Sequence, residues 1–188
     1  MQAAIRAATR ADVPAIEKLI AASARALGRD HYSDAQIEAA LRGAFGVDTQ
    51  LIDDGNYFVI DGGDELAACG GWSYRRTLFG SDARAGRDTS ALDPLIDAAR
   101  IRAFFVAPGH ARRGLGRALL VHCEAQARLR GFHRFELMST LPGVALYARC
   151  GYLPGARIEY PLGEGLSIGF VPMQRRDPTQ PQSLCLQQ

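Results

Sequence analysis

The first half of the chain carries its apolar residues at helical spacing. Thr9-x-x-Asp12 has the form of a capping box, and the residues after it place one apolar face on a helix: Val13, Ile16, Leu19 and Ile20. A short strand over residues 3–8 is predicted before this helix. Residues 28–34 interrupt the pattern, and a second helix is predicted from an N-cap at Ser33 or Asp34 to about Phe45.

The spacing then changes to the two-residue period of strands. Residues 57–60 and 65–74 are separated by Asp61-Gly62-Gly63-Asp64, which predicts an antiparallel hairpin after a turn at residues 53–56. The next segment, residues 75–100, has no clean helix or strand signal apart from a short helix around residues 93–96. We expect this long connection to be functional or mobile.

The second half of the chain alternates strands and helices. Residues 101–106 form a strand candidate that Pro108-Gly109 stops, and a helix runs from Gly114 or Leu115 to about Arg130, where Gly131 ends it. The predicted elements that follow are a strand at 135–139, a short helix from Pro142-Gly143 to near Cys150, and strands at about 156–160 and 166–173.

This order of elements predicts one α/β (α+β) domain over residues 1–176, followed by a flexible polar tail at 177–188. The chain has 188 residues, of which 47% are hydrophobic and 22% charged, as in an ordinary globular domain. The longest apolar run, residues 103–107, is far shorter than the roughly 20 residues that cross a bilayer. The first residues lack a signal-peptide core. We therefore expect a cytoplasmic protein that does not bind membranes.

The net charge of +2 conceals a strong local asymmetry. Between Arg100 and Arg134 there are eight arginines and one acid, Glu124, so this segment carries +7 and the rest of the chain −5. Such a division favours one anion site over a generally basic protein that coats nucleic acid. The outlying arginines of this segment meet either a ligand phosphate or water: Arg128, Arg130 and Arg134.

Cysteine and histidine residues show no pattern typical of a metal site. The four cysteines, 69, 123, 150 and 185, include no C-x-x-C pair, and no histidine lies at zinc-ligand spacing from them. We interpret them as reduced structural cysteines and predict no metal site.

The segment from Ile101 to Leu120 carries the strongest chemical signal. A strand ends there, a glycine-containing turn follows, and a helix begins among arginines, so backbone N–H groups and the helix dipole converge on one point. Gly114 and Gly116 would allow a phosphate to approach the backbone. Neither a P-loop nor a full dinucleotide fingerprint is present, because there is no Gly-Lys-Ser/Thr and the third glycine is missing.

The flanking residues identify a family resemblance. The block Val-Ala-Pro-Gly-His-Ala-Arg-Arg-Gly-Leu-Gly-Arg-Ala-Leu-Leu, from Val106, and the block Gly-Val-Ala-Leu-Tyr-Ala-Arg-Cys-Gly-Tyr, from Gly143, resemble the two central motifs of the GNAT superfamily of N-acetyltransferases. The resemblance implies a mixed, mostly antiparallel sheet of about six to seven strands flanked by helices and splayed between strands four and five. It also implies acetyl-CoA as cofactor. The family's leading Gln or Arg falls on Ala111.

The resemblance assigns roles to individual residues. It implies that the backbone N–H of Val106 is the oxyanion donor and that Tyr147 is the general acid, with its pKa lowered by nearby arginines and a helix N-terminus. Thr140 stands where relatives place an Asn that contacts the pantetheine arm. The cofactor-binding residues implied in this way are Phe104, Phe105, Val106, Arg112, Arg113, Gly114, Leu115, Gly116, Arg117, Thr140 and Tyr147.

The general base and the acceptor site are less defined. Glu136 is the acid nearest the strands on which relatives place a base, and the alternatives are a water chain, His31, Asp93 or Tyr160. Trp72, beside Gly70-Gly71, is either a pocket wall or a core residue that fills a bulge. The weak candidates for substrate contact are Trp72, Tyr74, His31 and Tyr32, together with the 75–100 segment.

These observations support one leading function and one alternative. The leading interpretation is an N-acetyltransferase that passes an acetyl group to a primary amine by direct attack in a ternary complex. The alternative is an acyl-CoA-binding sensor without turnover. The acceptor would be a small-molecule amine or a protein or peptide amine. A nucleic-acid partner fits poorly, and a homodimer is left open.

Overall fold

The computed structural model describes residues 4–82 and 88–177. Within them the chain forms eight strands in one sheet: β1 (Ile5–Ala7), β2 (Tyr57–Asp61), β3 (Leu66–Ser73), β4 (Ala99–Val106), β5 (Arg134–Thr140), β6 (Leu153–Pro154), β7 (Ile158–Gly163) and β8 (Leu166–Arg176). The helices are α1 (Val13–Gly28), α2 (Asp34–Leu41), α3 (Thr49–Asp53), α4 (Leu115–Leu129) and α5 (Val144–Arg149). The tail predicted at 177–188 lies outside the described residues except for Asp177.

The strand order is β1-β2-β3-β4-β5-β8-β6, and β7 pairs with the other part of β8. Every pairing is antiparallel except that of β4 with β5, which is parallel. These two central strands are paired only where Ala99–Ile101 faces Phe135–Leu137. Beyond Ile101 the strands diverge, which confirms the mixed, splayed α/β sheet that the family resemblance implies.

Both N-terminal capping signals are formed. The backbone N–H of Thr9 donates to the Asp12 carboxylate at 2.7 Å, and a short 3₁₀ turn leads into α1. The N–H of Gln36 donates to the Ser33 hydroxyl at 3.2 Å, which fixes the start of α2. The second helix ends at Leu41, four residues before the predicted end at Phe45, because Phe45 turns inward and is buried.

One local prediction is wrong, and two short elements were missed. Residues 93–96 form a turn and not a helix, since the N–H of Leu95 donates to the Asp93 side chain at 2.9 Å in the manner of an Asx turn. The short helix α3 and the two-residue strand β6 were not predicted from the sequence. Each is too short to show a period, so its position is set by packing and pairing with neighbours.

The sheet separates two hydrophobic cores. Helices α4 and α5 cover one face, where Leu119, Leu120 and Phe135 are buried. Helices α1, α2 and α3 cover the other, where Ile16, Ile37 and Leu51 are buried. In the described ranges no helix combines the length and the apolar character needed to span a membrane.

Candidate functional site

A β-bulge shapes the middle of β4. The register with β3 shifts between Cys69 and Gly71, so that Ala103 and Phe104 both stand opposite Gly70, and Ala103 has a φ of 55°. The Tyr57 hydroxyl donates to the Ala103 carbonyl at 3.0 Å and holds the bulge in place. A Cβ on Gly70 would lie 2.7 Å from the Phe104 ring, so only glycine leaves room for that ring.

The bulge leaves the last residues of β4 facing an open gap. The N–H of Ala107 donates to Ala67 at 2.8 Å. Because main-chain groups alternate in direction along an antiparallel strand, the N–H and C=O of Val106 point away from β3. They point toward β5, which has already diverged. A backbone donor and acceptor are therefore presented where a further strand would lie.

The loop before α4 places backbone donors next to this gap. Arg112 has a φ of 64° and Gly114 a φ of 82°, both in the left-handed region. The N–H of Ala118 is the first to find a helical partner, Gly114, so the N–H groups before it have no partner inside the helix. The positive end of the α4 dipole adds to their field. This arrangement fits an anion.

The arginine-rich segment divides into two sets. Five of its eight arginines contact other residues of the protein. Arg100 pairs with Glu136, Arg102 with Asp48 at 2.6 Å and Arg128 with Asp177 at 2.7 Å. The other two are Arg130, whose guanidinium lies over the Tyr74 ring, and Arg134, which donates to the Ile96 carbonyl.

The remaining three, Arg112, Arg113 and Arg117, are exposed at the loop before α4 and have no ion pair within residues 4–82 and 88–177. The anion site predicted from the +7 segment thus reduces to these three side chains. Arg128, Arg130 and Arg134 each contact another part of the protein, and Arg130 is also exposed to water.

Gly116 has a packing role in addition to the predicted one. It is buried in the first turn of α4, and a Cβ there would lie 3.0 Å from Leu146 in α5. Leu115 is half-buried beside it. The absence of a side chain lets α4 approach α5, which carries Tyr147.

Tyr147 lies at the gap between β4 and β5. Its ring stands edge-on to Phe104, with 6.4 Å between centroids, and to Tyr152 at 5.8 Å. Its hydroxyl has no hydrogen-bond partner among the described residues. Burial raises the pKa of the phenol above its usual value, contrary to the expected lowering by arginines. The hydroxyl therefore keeps its proton at neutral pH.

A cavity of about 70 Å³ occupies the gap. It contacts Thr140 at the end of β5, Tyr147, and the bulged residues of β4. It also reaches through the sheet to the α1 and α2 face, where Phe45 and Phe79 form its wall. The cavity therefore joins the two faces of the sheet at the point where the strands separate. Phe105 of β4 also lines it.

The predicted acceptor residues lie in different places. Trp72 is buried in the core against Phe132, and Tyr74 donates to Asp54 at the far end of β3, so neither lines the cavity. Trp72 pairs with Ile101, about 17 Å along the strand from Val106 at 3.4 Å per residue. The bulge exists, but Phe104 and not Trp72 fills the space above Gly70.

His31 is exposed in the loop between α1 and α2, while its neighbour Tyr32 is buried. The Tyr32 hydroxyl accepts from the N–H of Leu141 at 2.7 Å and donates to the Gly169 carbonyl at 2.8 Å. Tyr32 thus joins the helical face to the end of β5, directly after Thr140. It positions the segment that leads into α5 and does not line the cavity.

The candidates for a general base are engaged elsewhere. Glu136 pairs with Arg100 where β4 and β5 are still in contact, and Asp93 caps its own turn. The Tyr160 ring packs on Phe79 at 5.1 Å. None of them lines the cavity.

Sequence reasoning missed the aromatic residues that line the cavity on the α1 and α2 face. Phe45, Phe79 and Phe170 come from three separate segments, and the sequence places no pattern on them. One signal was available: the Gly70-Gly71 pair marks the bulge. A Cβ on Gly71 would lie 2.7 Å from the Tyr57 ring, so both glycines make room for aromatic residues.

No metal cluster of three or more His, Cys, Asp or Glu residues occurs in the described part of the chain. Cys69, Cys123 and Cys150 are free thiols, and Cys185 lies outside the described residues. Burial raises the pKa of the Cys69 thiol to about 12.

Comparisons with known proteins agree with this geometry. A GCN5-related N-acetyltransferase from Rhodopseudomonas palustris superposes with a TM-score of 0.68 at 17% identity, over 94% of this chain and 96% of that one. The PaiA N-acetyltransferase of Thermoplasma acidophilum, solved with coenzyme A, gives 0.63 at 12% identity, over 94% and 100%.

The ribosomal-protein-S18-alanine N-acetyltransferase of Escherichia coli gives 0.58 at 18% identity, over 96% and 97%. No curated protein matches the sequence. The family model of the acetyltransferase (GNAT) family matches residues 14–152, most of the chain and all of the gap, loop and Tyr147 region. The chain therefore belongs to the GNAT acetyltransferase family.

Proposed function

We propose that this protein is an acetyl-CoA-dependent N-acetyltransferase that acts on a primary amine by direct attack in a ternary complex. One observation carries the proposal. Strands β4 and β5 diverge and leave the main-chain groups of Val106 facing a gap, beside a helix N-terminus where three arginines have no ion pair with any described residue. The gap suits an extended chain of amides, and the loop suits phosphates.

The residues present fit this cofactor, which supplies an acetyl group activated as a thioester. The edge of β4 at Phe104, Phe105 and Val106 would pair with the pantetheine arm. The loop from Arg112 to Arg117 would hold the pyrophosphate with main-chain N–H groups and guanidinium groups. The Thr140 hydroxyl, at the end of β5, would add one hydrogen bond.

Two groups are suited to the chemistry. The Val106 N–H points into the gap and can donate to an oxygen that gains negative charge, an interaction typically worth a few kcal/mol. The Tyr147 hydroxyl holds a proton and has no competing partner within the described residues, so it can give that proton to a departing group. Because the pKa of this phenol is raised, we expect Tyr147 to transfer its proton only as negative charge builds up on the departing group.

Direct attack is favoured because no thiol lines the cavity among the described residues. A covalent route would need an activated thiol in the gap. Cys69 and Cys123 are buried, with thiol pKa values raised by burial, and neither lines the cavity. The proposal predicts intersecting initial-velocity lines when both substrates are varied.

A second candidate is an acyl-CoA-binding protein without turnover. The observation in its favour is that no acidic side chain lines the cavity among the described residues. The two candidates share the binding site and differ only in whether thiol is released.

The test of function measures binding and turnover separately. Coenzyme A at about 100 times its Kd should stabilise the protein by about 2.7 kcal/mol, and ATP should not do so at equal concentration. Thiol release from acetyl-CoA with an amine panel should fall about 100-fold or more in Tyr147→Phe, with coenzyme A affinity changed less than threefold. Tyr74→Phe, at the far end of β3, is the matched control and should keep full activity.

Stabilisation by coenzyme A with no release from any amine would favour the binding protein. Absence of stabilisation would refute the cofactor assignment itself.

A further inference from the structure

The wall of the cavity on the α1 and α2 face is aromatic. Phe45 stands edge-on to Phe105, with 5.9 Å between ring centroids, and to Phe170 at 6.1 Å. Phe79 lies 5.6 Å from Phe170 and 5.1 Å from Tyr160. Four separate segments of the chain contribute these rings, and each ring is held by others.

The polar side chains at the cavity are few. Among the described lining residues they are Arg102, Thr140 and Tyr147, and none is acidic. Arg102 is almost fully buried, pairs with Asp48 at 2.6 Å, and donates to the Gly80 carbonyl at 2.6 Å. The Asp48 carboxylate is thus paired with a guanidinium that lines the cavity, and Asp48 itself is not among the lining residues.

This composition is unfavourable for a cation. An ammonium group that left water for this cavity would meet aromatic rings and a guanidinium, and no carboxylate is present among the described lining residues. The titratable groups that face the cavity within the described ranges are Arg102 and the protonated Tyr147; Asp48 pairs with Arg102, and Tyr160 packs on Phe79. None of them compensates a positive charge at neutral pH.

We propose, resting on the function proposed above, that the acceptor is a primary amine on a compact apolar body and that it enters this cavity uncharged. A cavity of about 70 Å³ has room for several ordered waters, which a short alkyl or arylalkyl group would displace. Polyamines, aminoglycosides and lysine-rich peptides carry further charges and are disfavoured.

Entry of the neutral amine has a kinetic consequence. At pH 7.5 only about one in 800 molecules is neutral for an amine with a pKa near 10.4. If the protein selects the neutral form, kcat/KM should rise about tenfold per pH unit until the pH reaches the amine's own pKa. A resident base would instead give a plateau at its own pKa, whatever the amine.

The decisive comparison uses butylamine and 1,4-diaminobutane, which differ only in a second cationic group. We expect kcat/KM for butylamine to be at least 30-fold higher, with 2-phenylethylamine also accepted. Equal or higher kcat/KM for 1,4-diaminobutane, or for a peptide with an N-terminal alanine, would overturn the proposal.

The pH profile gives a second readout on the same protein. It compares 2-phenylethylamine with 2,2-difluoro-2-phenylethylamine, in which fluorine lowers the amine pKa with little change of shape. The inflection of kcat/KM should move to lower pH with the fluorinated amine. An inflection that stays in place would overturn entry of the neutral form.

A pair of variants tests the aromatic wall. Phe79→Ala should raise the KM for butylamine at least fivefold with coenzyme A affinity unchanged, while Phe79→Leu keeps an apolar wall and should stay within threefold of wild type. An unchanged KM in a folded Phe79→Ala protein would overturn the assignment of this wall.

The outcomes separate this inference from the proposed function. Thiol release with polyamines but not with apolar amines refutes the acceptor class alone. Stabilisation by coenzyme A without release from any amine refutes turnover and the acceptor class together.

Discussion

At the scale of single residues, the Arg102–Asp48 pair is the most consequential contact outside the motifs. Both side chains are nearly inaccessible to water, and they join β4 to the residue that caps α3. Removing one partner of a buried ion pair leaves the other charge without compensation, which typically costs about 3–5 kcal/mol. The pair therefore holds Arg102 in place at the cavity, and breaking it would cost a large amount of folding free energy.

Asp48→Asn tests this. Asn retains the capping ability of Asp, because the Asp48 side chain accepts from the N–H of Gln50 and an amide oxygen can do the same. The variant should thus lose only the charge, and we expect a destabilisation of about 3 kcal/mol or more in urea unfolding.

Asp53→Asn serves as the matched control. Its carboxylate pairs with Arg10 at the surface, where a pair is worth about 0–1 kcal/mol. Equal losses in the two variants would show that burial of the Arg102 pair has no special cost.

At the scale of elements, the bulge in β4 depends on a glycine in its partner strand. A Cβ at position 70 would lie within 3 Å of three ring atoms of Phe104. Gly70→Ala should therefore displace the ring and disturb the edge that we assign to the cofactor. We expect about 1–3 kcal/mol lower stability and at least tenfold weaker binding of coenzyme A, measured by calorimetry.

Gly109→Ala is the control, since a Cβ there meets nothing within 4 Å. It should bind coenzyme A as the wild type does. Normal binding in Gly70→Ala would separate the bulge from the cofactor site.

The elements with local signals were predictable from the sequence. The Asp61–Asp64 turn marks the β2–β3 hairpin, and Gly114 and Gly131 bracket α4. The end of α2 was predicted too late, because burial of Phe45 overrides the helical period. The β4 bulge was only hinted at by Gly70, since its shape depends on Tyr57 and Phe104 packing across strands.

The residues of the candidate site were likewise predictable only where they lie in local sequence motifs. Val106 and Tyr147 were identified because both lie in short motifs, and both lie at the gap. Trp72 was left open between a pocket wall and a core residue, because large aromatic residues suit both, and tertiary packing places it in the core. The aromatic wall around Phe79 could not be predicted from the sequence for the same reason.

At the scale of the whole molecule, a charge network ties the end of β8 to α4. Glu124 is buried and accepts from Arg175 at 2.9 Å and from the Tyr152 hydroxyl at 3.0 Å. Arg128 bridges Glu124 and Asp177. This network engages Arg128, which the sequence alone left available to a ligand. It also connects the C-terminal strands to the helix that begins at the candidate anion site.

Acid should weaken this network. The Arg128 guanidinium, which donates to Asp177, holds the pKa of that carboxyl below its usual range. Because the pKa of Asp177 is lower in the folded protein than the unfolded value of about 3.9, its ionised carboxylate stabilises the fold above that pH. This stabilisation is lost as the pH falls toward the folded pKa. Asp177→Asn should therefore be about 1 kcal/mol less stable than the wild type at pH 7, with the difference shrinking at pH 3.

Urea unfolding at pH 7, 5 and 3 measures this difference. Asp64→Asn, in the exposed β2–β3 turn, should show no such dependence. A constant gap between Asp177→Asn and the wild type at all three pH values would exclude the ion pair as its origin.

The open edge of β4 also bears on how this protein can change over evolutionary time. Whatever lies along that edge is recognised by the amide spacing of the main chain, which every residue provides equally. Side chains that line the gap can then vary, provided that they neither hold the β4 bulge, as Tyr57 and Phe104 do, nor supply the Tyr147 hydroxyl. New acceptors can be acquired by drift at positions such as Phe105 without loss of the common donor.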